Sequence, residues 1–286
     1  MKRRLRDVKE YYTKNVRREW VRLTRGAYRR LEFETTLHFL HKYLPRRGHI
    51  LDAGGGPGRY TVELAKDGYT VTLLDITPAN LEFASRMIKR RGLSPMIDGV
   101  LEGSIDDMSR FSDSYFDAVL CLGGPLSHVM DERGRKGAAR ELLRVAKPGA
   151  PVFVSVMSLL GVFYIELASF QHEIGLPMFR RVCDAGDYLG EREFTACHFF
   201  LPEELRALFE GAGAETVEMA ALEWVPSAFE RQLNKLSKDP RRWKAWMYAH
   251  RRYCTHPGAV GSSDHMLIVC RKNPRAREGA VDPSAG

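Results

Sequence analysis

A chain of 286 residues with 44% hydrophobic content is long enough for one α/β domain with additions and has the composition of a globular protein. No apolar run reaches the length of a membrane span, and the opening MKRRLRDVKEYY lacks the apolar core of a secretory signal; the five cysteines (Cys121, Cys183, Cys197, Cys254 and Cys270) form no CxxC pair. These features argue against membrane insertion, export, a zinc knuckle and dithiol chemistry, and reduced thiols in a cytoplasmic protein are expected.

The formal charge of +8 gathers in residues 1–30 and in Pro240–Tyr253 (PRRWKAWMYAHRRY). Such stretches either attract a polyanion or stand as solvated helix faces, and the second reading is the commoner one. In chain order, Tyr12, Val16, Trp20 and Leu23 recur at helical spacing, Gly26 interrupts, and Phe33, Leu37, Leu40 and Leu44 mark a second helix ended by Pro45. Residues 1–45 are therefore expected to form an N-terminal helical lid. Strands are predicted at Gly48–Asp52, Tyr69–Leu74, Met96–Leu101, Tyr115–Leu122 and Pro151–Met157, with helices between them, one starting at Pro78 and another spanning Glu132–Val145. A helix at Pro202–Gly211 and strands at Glu215–Trp224 and Ser263–Arg271 follow. This rhythm predicts βαβ units and a mostly parallel sheet. Segments of about 158–200 and 225–258 break it and are read as cap insertions over the sheet's carboxyl edge, within a domain spanning 46–271. The tail, 272–286, is polar and expected to be disordered.

The most informative stretch is ILDAGGGPGRYTVELA, Ile50–Ala65. It reads as strand, glycine turn and helix, an arrangement that lets a backbone approach a ligand closely and aims free helix N–H groups at it. Its frame is Asp52-x-Gly54-x-Gly56-x-Gly58, which departs from the dinucleotide spacing G-x-G-x-x-G. Asp75, at the end of the second strand, can accept hydrogen bonds from ribose hydroxyls.

The LDAGGGPG frame, Asp75, FDAVLCLGGPLSHV (Phe116–Val129), ELLRVAKPGAPVFVSV (Glu141–Val156) and FLPEELRALFEGAGAETVEM (Phe200–Met219) fall in an order that resembles the class I S-adenosylmethionine (SAM)-dependent methyltransferases. The resemblance covers most of 46–157 and 199–271. It implies a Rossmann-like sheet of seven strands with an antiparallel last strand and helices on both faces, and SAM as cofactor. By position, it implies that Gly54, Gly56 and Gly58 pass under the methionine and ribose, and that Asp52 orients the loop or reaches the SAM amino group through water. Asp75 would hold the ribose with Ile76 against the adenine, Ser104 and Ile105 would flank that ring, and the Leu122 carbonyl would meet the SAM ammonium. Where many relatives have Gly-Asp-Ala, this chain has Gly103-Ser104-Ile105, so the adenine amino group would use the Ser104 hydroxyl or Asp106.

His128, after the fourth strand, is the candidate catalytic base, with a polar residue at a helix start as the competing reading. Tyr11, Tyr12 and Trp20 are candidates to close over the site and bind substrate, or else form a packed helix stripe. His38 and His41 share a helix face without a third ligand, and His172, His198, His256 and His265 are scattered singly, so no metal is expected. Cys183 and Cys197 are read as structural. Asn/Asp-Pro-Pro-Tyr and Pro-Cys signatures are absent, and Phe163, Tyr164, Phe170, Phe179, Tyr188, Trp243, Trp246 and Tyr248 in the insertions suit an enclosed pocket. The favoured function is methyl transfer to an O, N or C atom of a small molecule. The alternatives are an RNA or protein methyltransferase using the basic stretches, a nicotinamide-dependent oxidoreductase, and a SAM-binding module without catalysis.

Overall fold

The computed structural model describes residues 2–192, 194–225 and 227–273. From residue 274 onward, the tail expected to be disordered lies outside the described residues. Seven strands form one sheet: β1 (His49–Ala53), β2 (Thr70–Asp75), β3 (Ile97–Glu102), β4 (Ala118–Cys121), β5 (Pro151–Met157), β8 (Ala214–Ala221) and β9 (His265–Lys272). Their order is β3-β2-β1-β4-β5-β9-β8, and β9 runs antiparallel to both neighbours. A hairpin of β6 (Asp187–Tyr188) and β7 (Cys197–His198) stands apart.

Helices cover both faces, which explains why the central strands read as unbroken apolar runs. On one face, α5 (Glu132–Val145) and α8 (Pro202–Glu210) bury Leu142, Leu205 and Phe209 against Val152, Val154 and Ile268. On the other, α2 (Gly26–Tyr43) and α3 (Arg59–Lys66) bury Phe39, Leu40 and Leu64 against Ile50, Leu120 and Phe153. Beside α3, α4 (Pro78–Arg90) packs Leu81 and Ala84 on Leu73. The sheet order reverses direction at β1, whose neighbours are β2 and β4, and a ligand crevice is expected beyond the carboxyl ends there.

The remaining helix, α1 (Lys2–Arg22), crosses that edge. Lys9 Nζ reaches Glu102 at the end of β3 (2.9 Å), Tyr12 reaches His128 beyond β4 (2.8 Å), and the Trp20 carbonyl accepts from the Arg59 guanidinium at the start of α3. Arg59 also lies 3.8 Å from the Trp20 ring centre, a close cation–π contact.

Two expectations need correction. The fourth strand is shorter than Tyr115–Leu122, because Phe116 pairs with Ala146 outside the sheet and the Asp117 carboxylate accepts from the His49 N–H (2.8 Å) and Lys147. The insertion at 225–258 contains α9 (Glu230–Leu236) and α10 (Pro240–Tyr253), and it packs on α2 rather than over the carboxyl edge. The Asn234 carboxamide oxygen accepts from the N–H groups of Ala27 (2.8 Å) and Tyr28 (3.0 Å), capping α2 from far along the chain. The insertion at 158–200 holds α6 (Leu159–Ser169), α7 (Pro177–Ala185) and the β6–β7 hairpin, and the approach to β7 does reach the edge.

Candidate active site

A continuous cleft lies between α1 and the carboxyl ends of β1, β2 and β4. The glycine turn forms its floor. Gly54 and Gly56 have φ of +73° and +57°, a conformation that favours glycine, and a Cβ on Gly54 would stand 2.5 Å from Pro125. A Cβ on Gly56 would meet nothing closer than 3.8 Å, so the turn is open to the cleft at that point.

Asp75 stands beside the glycine turn on the cleft wall. Its Oδ2 accepts from the Gly56 N–H (2.8 Å), and its Oδ1 accepts from the Thr77 N–H (2.8 Å) and Asn80 Nδ2 (3.2 Å). Burial raises its pKa against these bonds. Thr77, which precedes α4, makes no side-chain cap bond, and the Asp75 carboxylate serves the N-terminus of that helix as well. Asn80 Oδ1 is buried without a protein partner beside Asp75 on the cleft wall. An orphaned buried acceptor next to a carboxylate fits a pair of ribose hydroxyls. Ile76, Ser104, Ile105 and Leu122 line the same cleft, and the Ser104 hydroxyl donates to Asp106.

Four of the expected site residues do not line the cleft. Asp52 is fully buried behind the loop, where its Oδ2 accepts from the Thr61 N–H (3.1 Å) and hydroxyl (2.6 Å), bracing β1 to α3. Burial pushes its carboxyl up to about 6. Gly58 packs against Ala84 at the start of α3, and Trp20 packs on Phe83. Tyr11 sits edge-on to Tyr12 and to Phe194, with ring centres 5.3 Å apart in each pair. The insertion aromatics expected to form a pocket also lie elsewhere: Phe163 packs on Phe179, Trp246 stacks on Trp224, and Tyr164, Phe170 and Tyr248 are exposed.

At the far end, His128 and Tyr12 meet. His128 Nδ1 lies 2.9 Å from the Ala196 carbonyl, which only accepts, so Nδ1 carries the proton; Nε2, 2.8 Å from the Tyr12 oxygen, then accepts from the phenol. Burial lowers the His128 pKa, which favours this neutral form, and it raises that of Tyr12. Leu5, Val8 and Val129 make the surrounding wall.

Sequence reasoning missed Asn80, Arg22, Glu19, Phe194 and Ala196. Asn80 had a faint signal, a polar residue in the first turn of a helix beside Asp75. The others are positioned by tertiary contacts alone. Arg22 lines the cleft near Gly123, its Nη2 lying 3.6 Å from where a Gly123 Cβ would stand. It binds Glu32 with both Nη atoms (Nη2–Oε1 3.0 Å) and Glu19 through Nε (3.2 Å). Two histidines read as solitary are not. His198 lies 2.8 Å from both Asp187 and Glu204, and His265 groups with Glu32 and Glu223.

Comparison with known proteins agrees with this geometry. Residues 50–149 match the family model for a methyltransferase domain. A ubiquinone biosynthesis O-methyltransferase of Xylella fastidiosa is 26% identical over 192 residues, covering 66% of this chain and 70% of that protein. A glycine/sarcosine N-methyltransferase of Parasynechococcus marenigrum is 33% identical over 101 residues, 34% of each chain. The crystal structure of a SAM-dependent methyltransferase from Methanosarcina mazei superimposes with a TM-score of 0.58 at 21% identity, over 82% of this chain and 97% of that one, a likeness of fold. Among the described residues no helix is long and apolar enough to cross a membrane. With the matched domain, the glycine-floored cleft fits a SAM-dependent methyltransferase, an enzyme that transfers methyl groups from SAM.

Proposed function

We propose that this enzyme methylates an O, N or C atom of a small molecule held beneath α1, with His128 as general base where the acceptor must lose a proton. One observation carries the reading: the cofactor end of the cleft runs without a break into an apolar-walled end closed by Tyr12 and His128. SAM supplies a methyl group already activated by its sulfonium, so what the protein adds is alignment and exclusion of water. Asp75 and Asn80 receive the ribose hydroxyls, Ile76, Ser104 and Ile105 flank the adenine, the Leu122 carbonyl meets the ammonium, and Arg22 faces the carboxylate. Asp52, Gly58 and Trp20 support these groups from behind. Leu5, Val8 and Val129 keep the acceptor end dry. The neutral His128 offers Nε2 as proton acceptor, and the Tyr12 phenol occupies the place an acceptor hydroxyl would take.

Residues 1–45 act as a lid on the 46–271 domain, with 158–200 as its cap. The relatives named for O-methylation in ubiquinone biosynthesis and for glycine or sarcosine N-methylation favour a small acceptor. An RNA or protein acceptor would use the basic faces, part of whose charge is engaged within the protein: on α1, Lys9 pairs with Glu102 and Arg22 with Glu32. Calorimetry with SAM, S-adenosylhomocysteine and NADH tests the cofactor, and labelled methyl transfer to metabolite pools against RNA tests the acceptor. Binding of both SAM compounds with label in metabolites is expected; label confined to RNA would sink the small-molecule reading.

A further inference from the structure

Beneath the methionine end of the cleft lies a cluster of ionisable side chains that methyl transfer itself does not use. Glu32 on α2 and Glu223, just after β8, are each 1% exposed, and His265 at the start of β9 is 13% exposed. His265 Nδ1 lies 2.8 Å from Glu223 Oε1 and 3.8 Å from Glu32 Oε2. Glu223 Oε2 accepts from the Ser263 hydroxyl (2.7 Å) and the His265 N–H (3.0 Å). Glu32 takes the Arg22 fork.

Two carboxylates and an imidazole this close resemble a cation site, but the bonding argues otherwise. The carboxylate oxygens already accept bonds, His265 Nδ1 is a donor rather than a free lone pair, and a guanidinium stands where a metal would be repelled. Counted as ions, Glu19, Glu32 and Glu223 share Arg22 and His265. Without the imidazolium, all three carboxylates would draw on Arg22 alone.

We propose that Glu32, Glu223 and His265 are positioning residues that fix the Arg22 guanidinium at the cofactor's amino-acid carboxylate and keep its charge from being neutralised inside the protein. This inference rests on the SAM reading above and deepens it. His265 neutralises Glu223 and shares Glu32, so less of the Arg22 charge is cancelled within the protein than Glu19, Glu32 and Glu223 would cancel without it. The opposed charges also set the protonation states. Burial works against the charged forms, but Glu32 and Glu223 raise His265 to about 9, while Arg22 and His265 hold Glu32 down to about 2. The other charged or titratable groups facing the cluster are Arg29 on α2, Glu19 on α1, Tyr60 on α3, Asp264 with its Tyr28 partner, and His250 on α10.

The test compares two probes that differ in the amino-acid part. S-adenosylhomocysteine carries the carboxylate, whereas 5′-methylthioadenosine keeps the adenosine and lacks it. His265→Gln is expected to weaken S-adenosylhomocysteine roughly tenfold, the scale of one charge-assisted hydrogen bond, and to leave methylthioadenosine unchanged. In the unaltered enzyme the preference for the deaminated analogue of S-adenosylhomocysteine, which keeps the carboxylate and has no ammonium to titrate, over methylthioadenosine should fall as pH rises through about 9, where the imidazolium is lost. That measurement stands even if the variant fails to fold. Equal loss for both probes, no loss for either, a flat pH profile, or binding of both probes that requires a divalent ion would overturn the inference. If the unaltered enzyme binds neither probe, the SAM reading itself fails.

Discussion

The two ends of the cleft are assembled by different means. At the glycine-turn end, Gly54 and Gly56 follow β1 while Asp75 and Asn80 stand at the junction of β2 and α4, and the decisive contacts are N–H groups meeting one carboxylate. At the acceptor end, Tyr12, His128, Phe194 and Ala196 come from a helix, a turn and a hairpin approach separated by long stretches of chain. The first end is fixed by local geometry and tolerates change elsewhere. The second exists only while α1 and the 158–200 insertion are docked, so it carries the specificity and the vulnerability.

Substitutions can break this contrast. The largest effect is expected for His128→Ala with a hydroxyl acceptor, a fall in kcat of roughly 10²–10⁴-fold with SAM affinity nearly unchanged, read by steady-state kinetics and calorimetry. Loss of SAM binding in that variant would mean the two ends are not separable. Next is Asp75→Ala, which removes a buried acceptor of three hydrogen bonds and should weaken SAM by roughly 10–100-fold in calorimetry. Unchanged affinity would refute the ribose assignment.

The smallest is Tyr12→Phe. The phenol donates to neutral His128, so its removal relieves a contact that disfavours the imidazolium, and the His128 pKa should rise. Activity of the unaltered enzyme should be lost as pH falls through a value below the ordinary 6.5, and in Tyr12→Phe that acidic limb should move to higher pH, with a change in kcat of only about threefold at neutral pH. A limb that stays in place would exclude Tyr12 from the base.

How much could be read from sequence follows the same divide. The glycine frame, Asp75 and the strand rhythm are statements about neighbours, so the parallel sheet, the Pro151–Met157 strand and the Glu132–Val145 helix were legible without coordinates. His128 could be singled out because it follows a strand, but its tautomer depends on Ala196, which only the folded chain brings near. The insertion aromatics misled because an apolar ring has the same sequence signature whether it lines a ligand pocket or packs on another ring, as Trp246 does on Trp224. Arg22 was one arginine among many in a basic helix until Glu32 distinguished it.

Asp52 braces the glycine loop through Thr61, yet it is a carboxylate shut away from water with its Oδ1 unpartnered. Its pKa, near 3.8 for an ordinary carboxyl, stands at about 6 in the fold. A raised acid lends stability while protonated; that advantage is complete below 3.8 and gone once the pH has passed about 6. At neutral pH the chain therefore keeps an ionised group where a neutral one would be more stable, by on the order of a few kcal/mol. Behind the floor of the cleft the protein thus gives up stability for a fixed negative charge under the glycine turn.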